Sequence, residues 1–205
     1  RAKPSSGLYG HYELSDFEKL ISEPKVVAIG EIGLDYYRTS EPEKQEQQKE
    51  IFKKFIELAI KYDKPIILHS RDASKGSTGR VHADMISILN SYFVIHNSKL
   101  RGVAHSFTGS IEDAKKYLEL GFYLGFNGII TFARQYDKIV REIPLVRIIL
   151  ETDAPYLTPE PYRGKRNEPA YVVEVAKKLA ELKNEPLEKV MEKTMHNCRS
   201  LFNVV

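Results

Sequence analysis

Two imidazoles and two carboxylates, His69, His105, Glu31 and Asp153, are the residues of this chain whose types and positions could do chemistry. They are hard or borderline donors of the kind that hold Zn²⁺, Mg²⁺ or Mn²⁺. Taken singly, each would be an ordinary hydrogen-bonding group at the mouth of a loop. Together they share a context. Glu31 closes the run Lys25-Val-Val-Ala-Ile-Gly, His69 follows Pro65-Ile-Ile-Leu, His105 follows Arg101-Gly-Val-Ala, and Asp153 ends Arg147-Ile-Ile-Leu-Glu-Thr. Short β-branched runs of this sort predict strands buried on both faces. With Phe122 to Phe126 as a further strand, four of the five expected strands end on a candidate ligand.

A second group of residues could serve an anionic substrate. Arg163, Lys165 and Arg166 lie in a loop rich in proline, with Pro155, Pro159, Pro161 and Pro169, just after Asp153. A short basic run in a loop is usually a solvated turn, but beside a cation centre it could grip a phosphate, Arg by a bidentate fork and Lys as a point charge. Arg71, two residues past His69, could reach the same phosphate or brace the site through Asp72. Tyr36 and Tyr37, beyond Glu31, either stack on a base or pack their loop. His11, His82, His96 and His196 have no ligand partner at useful spacing and read as surface or packing residues; Cys198 reads as a small buried apolar residue.

The elements that must position these groups alternate. Arg1 to Tyr12 reads as a loop, and Ser15 with Glu18 forms a capping box for a short helix ending near Ser22. From Glu43 to Tyr62, Ile51, Phe52, Phe55, Ile56, Ala59 and Ile60 fall on one helical face. After the polar loop Arg71 to Arg80, Met85, Ile88, Leu89 and Tyr92 mark another helix. Ser110 with Asp113 caps the next, closed by Gly121. Further helices are expected around Arg134 to Ile143, at 170–184 and at 187–202. Strict alternation implies right-handed crossovers and a parallel sheet covered on both faces. An open doubly wound sheet gathers its ligand at one switch point, whereas a TIM-type (β/α)₈ barrel carries chemistry at the C-terminal ends of several strands. The spread of candidate ligands favours the barrel, with about five β/α units present.

The bulk properties set outer bounds. With 205 residues, 42% of them hydrophobic, the expectation is one domain spanning 1–205. The net charge of +3, from 31 basic and 28 acidic residues, is too even to mark a nucleic-acid binder by itself. A single cysteine excludes an intrachain disulfide and suits a reducing compartment. No uncharged run has the length of a membrane span, so the expected location is the cytoplasm, away from membranes.

Five blocks carry a family resemblance: Gly30-Glu-Ile-Gly-Leu-Asp-Tyr-Tyr37, Leu68-His-Ser-Arg-Asp-Ala73, His105-Ser-Phe-Thr-Gly109, Glu151-Thr-Asp-Ala-Pro-Tyr156 and Pro161-Tyr-Arg-Gly-Lys-Arg-Asn-Glu-Pro169. In order and spacing they resemble the signature blocks of the TatD family. The resemblance implies a (β/α)₈ hydrolase of the amidohydrolase type that uses one or two divalent metal ions and acts as an exonuclease-type DNase. It implies that Glu31 bridges two metals, that His69 and His105 bind one, and that Asp153 binds the other and handles the proton of the attacking water. The implied partner is DNA, single-stranded or at 3′ ends, and the implied state is a monomer. One departure stands out. The family pattern opens with a His-x-His pair that occurs nowhere in this chain, so about three β/α units are expected to precede Arg1. The barrel would then be incomplete, with unpaired edges, and the residues present would complete at most the Glu31, His69, His105 site. Two other readings stay open: a related hydrolase of a small ester, amide or aminoacyl-nucleotide, and a catalytically incomplete fragment.

Overall fold

The computed structural model of the chain describes residues 14–73, 80–95 and 100–204. In it the apolar runs pair side by side as β1 (Ile29–Asp35), β2 (Ile66–Arg71), β3 (Gly102–Ala104), β4 (Tyr123–Phe126) and β5 (Ile148–Leu150). All neighbours are parallel, and their spatial order is the chain order, β1-β2-β3-β4-β5. A doubly wound sheet reverses direction at its switch point; this one never does, which is the progression of a barrel wall.

The strands begin and end where their partners allow. Pairing of β1 starts at Ile29, opposite Ile66, four residues later than the run from Lys25 suggests. Pro65 precedes Ile66 and has no N–H to give, although its carbonyl accepts from the Ile29 N–H at 2.9 Å. Glu31 therefore sits inside β1 and does not end it. The register of β1 on β2 shifts between Gly30 and Ile32, a bulge of the kind that re-aims one side chain. His69 likewise lies inside β2, while His105 and Asp153 lie beyond the ends of β3 and β5.

Helices α1 (Leu14–Ile21), α2 (Pro42–Lys61), α3 (Arg80–Ile95), α4 (Ile111–Glu119), α5 (Asp137–Glu142), α6 (Val172–Lys183) and α7 (Leu187–Phe202) supply the rest of the core. Phe52, Ile56 and Ala59 of α2 are buried, each large side chain contributing roughly 1.5–3 kcal/mol. Ile51, expected on the same face, is 44% exposed, because it lies at the margin of the apolar stripe. Ser110 and Asp113 form the expected capping box, and Gly121 takes the left-handed conformation (φ +82) that ends the helix. Ser15 lies inside α1 and is not its cap. His82 proves to be a packing residue, buried against Phe107 and Tyr117. Asn197 of α7 donates to the carbonyls of Leu145 and Ile148 at 2.9 and 2.8 Å, fixing that helix to the start of β5. His11, His96, the whole of the loop 1–12 and part of the loop 71–80 lie outside the described residues. Among the described residues no helix is long and apolar enough to cross a membrane.

The sheet is curled. β1 and β5 are its two edges, and four strand spacings of about 4.8 Å would set them about 19 Å apart if it were flat. Yet Glu31 of β1 and Asp153 beyond β5 both approach the same His105 nitrogen.

Candidate metal centre

β1 and β2 come unusually close at one point. Gly33 faces His69 across the ladder with φ +152, and a Cβ there would lie 2.0 Å from the His69 carbonyl oxygen, so only glycine fits. This approach sets Glu31 Oε2 3.2 Å from His69 Nδ1. The other ring nitrogen of His69 lies 3.7 Å from Asp35 Oδ2. Burial alone would raise the Asp35 carboxyl, but the nearby His69 ring, the Arg38 backbone N–H and the Arg38 guanidinium leave it below the usual carboxylate range.

His105 is the hub. Its Nε2 lies 3.2 Å from Asp153 Oδ1 and 3.8 Å from Glu31 Oε1, and its Nδ1 is hydrogen-bonded at 2.8 Å to Glu151 Oε2. Burial pulls the ring pKa down; hydrogen bonds to Asp153 and Glu151 and the charges of Glu151 and Glu31 outweigh it and lift the pKa to about 10. Glu151 is itself fixed, its Oε1 accepting from the Ser106 amide at 2.5 Å. It occupies a hollow left by Gly125, where a Cβ would come within 2.6 Å of Glu151 Oε2. Ser106 (φ +47) and Asp153 (φ +58) both hold left-handed backbone without being glycine, strain that gathers at functional sites.

Asp153 is steadied from the following loop. Asn167, 2% exposed, donates its amide to the carbonyls of Thr152 and Tyr156 at 2.6 and 2.5 Å, and its backbone N–H donates to Pro155. The basic residues divide. Arg163 donates to the Thr158 carbonyl at 2.8 Å and lies 3.8 Å over the Phe132 ring, so it braces the loop. Lys165 and Arg166 are exposed. Arg71 lies 4.0 Å over the Tyr37 ring and does not brace through Asp72, whose carboxylate accepts from the Val81 amide. Tyr36 is buried and donates to Asp84 at 2.6 Å, which removes it as a base platform.

Among the described residues no group of three or more His, Cys, Asp or Glu side chains is disposed as a finished metal site. Glu31, His69, His105 and Asp153 instead meet in pairs. Those pairs are 3.2 to 3.8 Å apart, close to the separation of about 3.3–3.6 Å between neighbouring donors on a tetrahedral ion with bonds of about 2.0–2.2 Å. The donor set fits a divalent cation. Glu151 was not singled out from the sequence as a site residue, nor was Asp35, although both sit in the family blocks and are acids adjoining proposed ligands.

Glu151 holds His105 by the nitrogen opposite the candidate ligand atom, the arrangement that orients metal-binding imidazoles. Glu151→Gln has two opposed effects. The ring becomes less basic, so protons compete less for Nε2; it also loses its charged acceptor. With a folded pKa near 10, His105 carries a proton at neutral pH that a cation must displace, so proton competition weakens as pH rises. The expected loss of Mn²⁺ affinity is therefore about 10- to 100-fold at pH 8.5 and smaller at pH 6.5, read by calorimetric titration. Equal affinities at pH 8.5 would remove Glu151 from this role.

Parallel β/α units in unbroken order, curled so that acids and imidazoles from their C-terminal ends converge, define a β/α-barrel protein with its site at the strand mouths. The chain belongs to the TatD related DNase family, whose sequence profile matches residues 8–203. It is 44% identical over 192 residues to the uncharacterized metal-dependent hydrolase BU355 of Buchnera aphidicola, covering 93% of this chain and 68% of that protein. It is 35% identical over 199 residues to the 3′-5′ ssDNA/RNA exonuclease TatD of Edwardsiella piscicida, covering 93% of this chain and 71% of that one. The crystal structure of YJJV, a TatD homolog from Escherichia coli, superposes with a TM-score of 0.81 at 31% identity, over 93% of this chain and 70% of that chain.

Proposed function

We propose that this protein is a metal-dependent hydrolase of phosphodiester bonds in single-stranded DNA, removing nucleotides from an end. The observation that carries the reading is His105 Nε2 lying within reach of both Glu31 and Asp153, carboxylates from opposite edges of the sheet. Glu31, His69, His105 and Asp153 would hold one or two divalent ions, Mg²⁺, Mn²⁺ or Zn²⁺, which when bound acidify water and offset charge on the phosphoryl group. Asp153 takes the proton of the attacking water as its oxygen bonds to phosphorus. It returns the proton to the ester oxygen as the old P–O bond breaks, leaving a hydroxyl and a phosphate monoester. Glu151 keeps His105 aligned by its Nδ1, and Asn167 holds the backbone on either side of Asp153. Lys165 and Arg166, exposed on the adjoining loop, attract the strand. The name of the Edwardsiella relative supports the choice of nucleic acid.

The test is degradation of 5′-labelled and 3′-labelled single-stranded DNA with Mg²⁺ or Mn²⁺. Stepwise shortening that stops with EDTA is expected, and intact DNA under all metals would overturn the reading. The double variant Lys165→Ala/Arg166→Ala spares the bracing Arg163. It should weaken binding and reduce the slope of log K against log salt by about 0.7 for each phosphate no longer neutralised. Cleavage and salt response unchanged from wild type would take Lys165 and Arg166 out of strand binding.

A further inference from the structure

Tyr156 is 72% exposed, three residues beyond Asp153. Its ring adds little to the core, yet its backbone is tied down at both ends: its N–H donates to the Asp153 carbonyl at 2.8 Å, and its carbonyl accepts from the buried Asn167 amide at 2.5 Å. The loop thus fixes the backbone of an exposed aromatic residue at a set offset from the candidate centre. Other tyrosines are differently occupied. Tyr162 and Tyr171 stack on one another at 4.3 Å and 13°, Tyr37 has the Arg71 guanidinium over its ring, and Tyr36 is buried. Tyr156 stands clear of the other described rings and guanidinium groups, on the same loop as exposed Lys165 and Arg166.

We propose that Tyr156 is a stacking platform for one nucleobase of a single strand whose scissile phosphate lies at the Asp153 centre. This rests on the nucleic-acid reading of the site and adds the part of the substrate that is recognised: an unpaired base, held by its face and so without regard to sequence. A flat ring beside cationic side chains is the combination that single-strand binders use, because every base presents a π-face while the phosphates meet the charges. A base-paired duplex would have its faces already stacked and would gain nothing there.

The experiment is equilibrium binding to the Mg²⁺-loaded protein, with a fluorescein-labelled oligothymidylate and an abasic deoxyribose-phosphate oligomer of the same length, both phosphorothioate-linked to block cleavage. Wild type should prefer the base-bearing strand by about 5- to 150-fold. Tyr156→Ala should lose that preference while binding the abasic strand as wild type does, and Tyr156→Phe should keep it. The chain contains no tryptophan, so the fluorescence of Tyr156→Trp reports the position directly: quenching by oligothymidylate and none by the abasic strand is expected. Wild-type binding of both oligomers with equal affinity, or Tyr156→Ala matching wild type on oligothymidylate, would overturn the platform and leave the nucleic-acid reading standing. Failure of wild type to bind either strand would overturn both.

Discussion

Asp153→Asn lowers the rate of metal-dependent cleavage of end-labelled single-stranded DNA by about 10²- to 10⁴-fold, the usual contribution of a positioned general acid or base. The amide matches the carboxylate in size and can still accept a hydrogen bond from His105 Nε2, now 3.2 Å from Oδ1. What it cannot do is take a proton from water and return it to the leaving oxygen. The side chain is only 28% exposed and its charge helps hold His105 protonated, so the variant should also melt earlier than wild type at neutral pH, where that charged pair is formed. Because the lost interaction belongs to the transition state, the fall should appear in kcat with KM little changed. A variant that cleaves at the wild-type rate would show that the proton travels by another route.

Glu31→Ala should cost the protein its bound cation. Glu31 approaches both imidazoles, His69 Nδ1 at 3.2 Å through one oxygen and His105 Nε2 at 3.8 Å through the other. Its loss strips the set of the one acid shared between them. Affinity for Mn²⁺ or Zn²⁺ should drop by more than the roughly 100-fold ceiling for losing an orienting partner, so the metal content of protein recovered after gel filtration falls to background. The carboxylate is 52% exposed and lies on an edge strand, so the melting profile without metal should match that of wild type. Full retention of metal would take Glu31 out of the ligand set and leave β1 a structural element only.

Much of this architecture is legible in the residues. The five apolar runs become five parallel strands in chain order, because strands covered on both faces need the hydrophobic continuity that makes them visible; β1, at the sheet edge, buries only Ile29 and Leu34 and is not covered on both faces as expected. The Ser110–Asp113 box is legible for a similar reason: its hydrogen bonds are local. Strand limits are less so, since β1 begins where β2 can receive it, a fact about Pro65 and Ile66 and not about Lys25 to Ala28. The bulge at Glu31 is a property of a pair of strands and has no signature in one of them. Tyr36 and Tyr37 are adjacent and alike in type, yet one is buried against Asp84 and the other is 57% exposed. Only the turn after β1 separates them. Arg163 and Arg166 differ in the same way, because the Phe132 ring that receives Arg163 comes from a distant segment.

The hollow at Gly125 joins a position on β4 and one just past the end of β5 into one unit of change. Its missing methyl is the space in which Glu151 turns back toward His105, so a larger residue at 125 evicts an acid that lies 26 positions downstream. Anyone building variants of this scaffold should randomise the two sites jointly, since a library that explores either alone samples mostly broken combinations.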